Sequence, residues 1–382
     1  SHDSVGAVVS DVNAITSSAS YNAGDVIDIE VVFDEAVTVT GSPQLTLATG
    51  GNGRVVDYVS GSGSTKLLFK YTVQAGDSAT DLDYVATNSL ALNGGTITDA
   101  AGNNATLTLA TPGDGNAGSL AHGDAIVIDT IDPVFGIAVS SAGAVINEVE
   151  DAATAGVATV TAENGASWSV LLTGQAGSVT KTGTGTGSSQ AVQLTEDNVT
   201  TLGEGAVTVS GSATDTAGNI KSVAGTNLIT IDTVGPTLYI NDVLEGDNKA
   251  NATEDNDIII SGTSGGLEAG TTVTVTVTDS AGSAINSLTA TVRADGTWAT
   301  NAGNIEAKAQ GTVTLSATAV DAAGNSTASA VTSTQLSHDS VGAVVSDVNA
   351  ITSSASYNAG DVIDIEVVFD EAVTVTGSPQ LT

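Results

Sequence analysis

Residues 1–46 recur without a change at 337–382, an offset of 336 residues. A chain with so long an internal copy is built from repeated units and not around one continuous core. A weaker repeat divides those 336 residues. Asp129-Thr130-Ile131-Asp132-Pro133 aligns with Asp232-Thr233-Val234-Gly235-Pro236, and Asp3-Ser4-Val5-Gly6-Ala7, with its copy from Asp339, falls in the same register. A second marker precedes each of these linkers: Asp99-Ala100-Ala101-Gly102-Asn103, Asp215-Thr216-Ala217-Gly218-Asn219 and Asp321-Ala322-Ala323-Gly324-Asn325. The order of marker, strand and Asp-linker gives units at 1–131, 132–234 and 235–337, with a truncated start of the next repeat at 338–382. That last copy stops partway through its unit. The chain is therefore expected to be a window onto a longer repetitive polymer, with any export signal outside the window.

Within the units the period is two. Ile27, Ile29, Val31 and Phe33 alternate with Asp28 and Glu30. Leu67, Phe69, Tyr71 and Val73 share one face of another strand, Val273, Val275 and Val277 alternate with Thr, and Val313, Leu315, Ala317 and Ala319 repeat the pattern. Such alternation marks half-buried strands, and Gly, Asn, Asp and Ser punctuate them at hairpin spacing. Asn164-Gly165 ahead of Trp168 and Asp295-Gly296 ahead of Trp298 mark corresponding turns. No convincing amphipathic helix is seen. Units of about 100 residues with many short alternating strands predict an all-β chain of tandem immunoglobulin-like antiparallel β-sandwich domains in an elongated array. An up-and-down barrel is the alternative, against which the internal linkers stand.

Charge narrows the partners. The chain carries 43 acidic against 8 basic residues, a formal net charge of −35. Nucleic acid is excluded as a partner, because phosphate binding needs a basic surface, and an anionic membrane surface is disfavoured for the same reason. Disorder is the rival reading of so acidic a chain, but 41% hydrophobic residues provide apolar surface to bury. No run of 18 apolar residues predicts membrane insertion. With no Cys at all, stability must come from packing, repetition or metal. The natural counter-charge is a hard divalent cation bound by oxygen.

The linkers hold the best candidates for that cation. Calcium takes six to eight oxygens, which two or three loops can supply together. The expected ligands are the linker acids Asp3, Asp129, Asp132, Asp232 and Asp339, the turn-marker acids Asp99, Asp215 and Asp321, and two acidic groups that follow a unit's first strand, Glu148 and Glu150, and Glu254, Asp255 and Asp257. Asp25, Asp34 and Glu35 are weaker candidates in the first unit, and Asp77, Asp81 and Asp83 read as a solvated turn. The alternative for the Asp-x-Ala-Gly-Asn marker is a tight hairpin whose Asp and Asn suit the turn. Pro133 and Pro236 limit φ and remove a donor, which stiffens the linkers they occupy. Two tempting matches fail. Ser1-His2-Asp3 is no triad, because adjacent residues cannot converge as that mechanism requires. His122 has no ligand partner nearby in sequence for zinc. No enzymatic activity is expected.

On these motifs the chain resembles the bacterial Ig-like repeats of giant secreted adhesins and biofilm-matrix proteins. The first unit carries Tyr21-Asn22-Ala23-Gly24-Asp25-Val26-Ile27, Phe33-Asp34-Glu35-Ala36-Val37 and Gly41-Ser42-Pro43-Gln44-Leu45-Thr46-Leu47, followed by Asn93-Gly94-Gly95-Thr96-Ile97 and Ile128-Asp129-Thr130. The third carries the related Ala294-Asp295-Gly296-Thr297-Trp298 and Val320-Asp321-Ala322-Ala323-Gly324-Asn325. The resemblance implies sandwich folds, calcium at domain junctions, dedicated secretion, and a role in surface attachment or matrix. Ser-His-Asp-Ser-Val-Gly-Ala departs from the family's usual Ile-Asp-Thr-x-x-Pro at the first linker. Three extracellular roles compete: a calcium-stiffened shaft of an adhesin, a self-associating filament or surface layer in which repeats contact other copies laterally, and an accessory region of a large secreted enzyme. The expected partners are calcium and neighbouring repeats of the same polymer.

Overall fold

The computed structural model describes residues 3–51, 53–139, 145–147, 156–241, 245–327, 331–333 and 336–382, excepting the side chains of 226–228, 285–287 and 331–332. It divides into two compact units, one of Ser1–Val145 with Asp151–Ile231 and one of Ile146–Glu150 with Asp232–Thr382. The fold is nearly all β, in mostly antiparallel sheets that form sandwiches. No helix among the described residues is long and apolar enough to cross a membrane.

The first unit opens with β1 (Val9–Ala14), β2 (Ser20–Tyr21), β3 (Val26–Thr40), β4 (Gln44–Leu47), β5 (Arg54–Ser60), β6 (Ser64–Thr72), β7 (Ser78–Ala79), β8 (Leu90–Ala91) and β9 (Thr96–Thr98), then a single helical turn, α1 (Leu120–Gly123), and β10 (Val127–Asp129). The main sheet runs β1-β3-β6-β5-β4-β8, with β9 on the far half of β3, and β2-β10-β7 form a second. β3 sends Ile27, Ile29, Val31, Phe33 and Val37 inward, where they meet Leu67, Phe69 and Tyr71 of β6. Alternating β-branched and aromatic residues suit a pleated surface with one face buried. Twenty-two buried side chains form one cluster here, and burial of each large one stabilises by about 1.5–3 kcal/mol. The register of β3 against β6 shifts between Val32 and Val37, so Asp34 and Glu35 stand where regular pairing is interrupted.

The chain continues with β11 (Phe135–Val139), β12 (Val145–Ile146), β13 (Ala158–Ala162), β14 (Ser167–Thr173), β15 (Ser178–Thr184), β16 (Ser189–Val192), α2 (Glu196–Leu202), β17 (Gly205–Thr214) and β18 (Ile220–Ile231). One sheet is β11-β13-β16 and the other contains β18-β17-β14-β15, with α2 crossing from β16 to β17. Thr195 and Asn198 form a capping box at the start of α2, which satisfies two backbone donors reciprocally.

The second unit holds β19 (Thr237–Ile240), β20 (Lys249–Ala250), β21 (Ser261–Gly265), β22 (Thr272–Thr278), β23 (Ala284–Thr291), β24 (Thr297–Ala299), β25 (Gly311–Thr312), β26 (Thr314–Ala319), β27 (Val331–Ser333), β28 (Ser337–His338), β29 (Val345–Ala350) and β30 (Ile365–Phe369). Sheets β19-β21-β24, β20-β28-β25 and β23-β22-β26-β27 surround a core centred on Trp298, which has no exposed surface. β29 and β30 form a separate hairpin. It reproduces the register of β1 on β3, with Val348 opposite Val367 as Val12 is opposite Val31.

Candidate metal centre

Each turn marker folds in the same way. The backbone N–H of Asp99 donates to the Asn103 carbonyl at 3.0 Å, and the Asn103 N–H returns to Asp99 Oδ1 at 2.8 Å. Asp215 with Asn219 and Asp321 with Asn325 repeat both bonds, the second at 2.9 Å in each. Gly102, Gly218 and Gly324 have φ of 92°, 94° and 96°, a conformation in which a Cβ is strained. The tight-hairpin alternative is thus satisfied at all three markers.

The same Asn also reaches a linker. Asn219 Nδ2 donates to the Asp129 carbonyl at 2.9 Å, and Asn325 Nδ2 to the Asp232 carbonyl at 2.8 Å. Asn103 Nδ2 lies 3.4 Å from the Asp3 carbonyl and 3.5 Å from that of Val5. Marker and linker are therefore joined by a recurring side-chain clamp, which the sequence paired by order alone. On its other face each Asn donates to its own marker carboxylate, at 2.7, 2.9 and 3.1 Å for Asp99, Asp215 and Asp321.

At the first of these clamps three carboxylates converge. One oxygen each from Asp3, Glu35 and Asp99 lies within 4.8 Å of the others, the one such group among the described residues. Asp99 is buried, Glu35 partly buried and Asp3 exposed. The donors are all hard oxygens, and each carboxylate oxygen has two lone pairs, so Asp99 keeps acceptor capacity after its two bonds to Asn103. Such a set fits calcium and offers nothing to a soft metal. The electrostatics show what a cation would relieve. Loss of solvent, and then Asp3, Asp99 and Asp34, push the Glu35 carboxyl above the usual carboxylate value. The Asn103 side chain holds Asp99 below its ordinary value against the opposing effect of desolvation.

The shift of Glu35 gives a signed expectation. Its folded form binds a proton more tightly than its unfolded form, so in chelator its contribution to stability falls as pH rises from about 4.5 through its raised folded value. Glu35→Gln should remove that component. Melting temperatures of the two proteins in chelator, followed across pH, are expected to diverge in this window, with the variant the more stable at neutral pH. Parallel curves would contradict the convergence of the three acids.

Other candidates are placed differently. Asp129 Oδ1 accepts the Ile131 N–H at 3.0 Å, and Asp132 lies 3.6 Å from Lys221 Nζ with both side chains about half exposed, a pair worth little in stability. By the bonds that tie Val8 to Asp34 and Val134 to Glu163, the residue in the place of Glu35 at this junction is Asn164. Asp215, Asp232 and Asp321 are partly buried at their clamps and Asp339 is exposed. Glu148 and Glu150 lie outside the described residues. Glu254 Oε2 accepts the Asn251 N–H at 3.2 Å, and Asp257 is exposed on the same turn.

Asp255 has a different environment. It is 4% exposed, and its Oδ2 lies 3.4 Å from Nε2 of His338, which is wholly buried. His338 stands one residue before the linker Asp339, where the linkers at Asp129 and Asp232 are preceded by Ile128 and Ile231, also buried. Comparing those three positions is the signal that would have exposed it. The Asp77, Asp81 and Asp83 cluster is not a solvated turn either. Asp77 is buried and takes Arg54 Nε at 2.6 Å and the Tyr71 hydroxyl at 2.7 Å. Asp83 is buried and accepts from Ser119 Oγ at 2.6 Å and the Gly113 N–H at 2.8 Å, anchoring the segment that leads into α1.

No protein-family model matches the chain, and no curated protein does. Among solved structures, it is similar to a tetra-tandem repeat in the extending region of a large adhesion protein, with 18% identity, TM-score 0.30, and coverage of 91% of this chain and 77% of that one. It is similar to a Ca2+-stabilized adhesin by which an Antarctic bacterium binds ice, with 21% identity, TM-score 0.41, and coverage of 91% and 78%. A 1.5-MDa bacterial ice-binding adhesin gives 20% identity, TM-score 0.36, and coverage of 87% and 98%.

Proposed function

We propose that this chain is the extracellular repeat region of a large bacterial adhesin, a non-enzymatic spacer whose modules are stabilised by calcium. The reading is supported most directly by the meeting of Asp3, Glu35 and Asp99 beside the Asn103 clamp. In the absence of metal these acids repel across distances shorter than the roughly 10 Å screening length at ordinary salt. A calcium ion turns that repulsion into shared ligation, using linker, bulge and marker from three separated parts of the sequence. Extracellular calcium modules bind at roughly 10⁻⁴–10⁻³ M, which suits an external medium. The clamp that joins marker to linker repeats along the chain, so modules can be added without redesign.

A thermal melt of the whole chain in calcium and in chelator tests the proposal. Calcium at a hundredfold excess over its dissociation constant is expected to stabilise by about 2.7 kcal/mol, with the shift reversed by chelator. Superimposable melts would contradict it.

A further inference from the structure

Three asparagines occupy one position in the repeat. Asn22 follows Tyr21, which pairs with Ile128 just before the linker residue Asp129. Asn147 follows Ile146, whose carbonyl accepts the Asp232 N–H at 2.9 Å, and Asn251 follows Ala250, whose carbonyl accepts the Asp339 N–H at 3.0 Å. Each therefore stands beside the start of a linker. Two of the three also meet the turn marker that comes after their linker. Asn22 Nδ2 is 3.0 Å from where a Cβ on Gly218 would stand, and Asn147 Nδ2 is 2.9 Å from the same point on Gly324, with Cγ at 3.9 Å in both. Asn147 Nδ2 also donates to the Ala323 carbonyl at 2.8 Å. The first marker, which follows no such asparagine in this chain, is open. No atom comes within 4 Å of a Cβ on Gly102, and Ala101 is exposed where Ala217 is buried.

We propose that this asparagine is the seat on which the following marker turn docks, and that in the first compact unit Asn22 holds the sandwich after the linker against the one before it without metal. Contacts between domains of one chain are small and polar by default and permit motion. A fixed arrangement then needs separate anchors on a rigid element, and the marker supplies both. Its Asp and Asn close the turn on itself, as Asp215 and Asn219 do through the Asn219 N–H and the Asp215 N–H. That closed turn is held twice, by Asn219 on the Asp129 carbonyl and by Asn22 against Gly218. The glycine is required on two counts. Its left-handed φ strains a Cβ at all three markers, and the seat excludes one again at Gly218 and Gly324. The partner that fits the seat is therefore a turn of the Asp-x-Ala-Gly-Asn kind. Asn251 offers the same seat beside Asp339, with its Oδ1 taken by the N–H and hydroxyl of Thr253 at 2.9 and 2.7 Å, so that its Nδ2 is the half that faces a marker.

The test uses the whole chain in chelator, so that its failure leaves the calcium proposal standing. Spin labels on Thr65→Cys and Thr182→Cys, exposed positions on β6 and β15, report the distance between the two sandwiches, and the chain has no other Cys. One narrow distance distribution is expected with Asn22 in place, and loss of that narrow peak in Asn22→Ala. The loop itself survives this substitution, because the Asn22 N–H donates to Asp25 Oδ2 at 2.9 Å and the Asp25 N–H to the Asn22 carbonyl at 3.2 Å through the backbone of residue 22. Gly218→Ala, which sets a methyl group against the seat, is expected to lose the narrow peak as well. Gly102→Ala, with the same backbone strain and no seat, is expected to keep it. A broad distribution with Asn22 and Gly218 both present, or a narrow one retained in Asn22→Ala, would overturn the proposal. Equal broadening by Gly102→Ala and Gly218→Ala would overturn it too, since strain in the turn alone would then account for the effect.

Discussion

Replacing His338 by Ile is expected to destabilise the module that contains it by about 3–5 kcal/mol, although Ile is the residue at the corresponding positions 128 and 231. The cost comes from Asp255. Its Oδ1 has no hydrogen-bond partner and its Oδ2 faces His338, so the substitution leaves a buried carboxylate without its neighbour. Gln310 does not replace that neighbour, since its side chain bonds to His338 and to the backbone and side chain of Ser340. The double variant His338→Ile with Asp255→Leu removes both polar groups and should recover most of the loss, because an apolar pair of similar volume is often as stable as a buried polar one. Denaturant unfolding of the two single variants and the double variant measures the coupling. Additive losses would show that the two residues act separately.

A single methyl group at Gly262 is expected to have an effect of similar kind. A Cβ there would lie 1.9 Å from the Tyr239 carbonyl oxygen and 2.4 Å from Cζ2 of Trp298. The carbonyl belongs to the paired strand β19 and cannot rotate away, so β21 must shift or Trp298 must leave its site. Overpacking of this sort costs about 1–3 kcal/mol, occasionally more. The nearest contacts at Gly183 are with Trp168, at 2.4 Å from Cζ2. Since a side chain yields more readily than a backbone, Gly183→Ala should be the milder of the two. Equal losses in unfolding experiments would show that the indole, and not the strand backbone, sets the cost. Trp298→Ala gives the scale, at about 3–5 kcal/mol for a large core residue.

The period-two runs were legible because strand burial is a local pattern. Ile27, Ile29, Val31 and Phe33 are all inside, as are Leu67, Phe69, Tyr71 and Val73. The turn markers were legible because Gly and Asn at fixed offsets specify a backbone conformation on their own. What covers a strand is not local. Ile29 is fully buried while Ile365, its counterpart in an identical segment, is 53% exposed. The difference is β6, which packs on β3 and has no equivalent on β30. The third acid of the candidate centre escaped its place among the leading candidates for the same reason. Glu35 is distant in sequence from Asp99 and is brought to it by the register shift in β3. One signal was present, since Glu35 falls on the inward parity of Ile27 to Val37 and is the single acid to do so. Asp255 was read as a cation ligand because clustered acids look alike in sequence, and only the fold places His338 against one of them.

The most direct test of the account is a calorimetric titration of the chain with calcium, run beside Glu35→Gln. The account predicts saturable binding by the unsubstituted chain and binding weaker by about an order of magnitude in the variant, since affinity follows the number of charged ligands. Absence of binding heat with no calcium effect on melting, or identical affinities in the two proteins, would contradict a centre built from Asp3, Glu35 and Asp99.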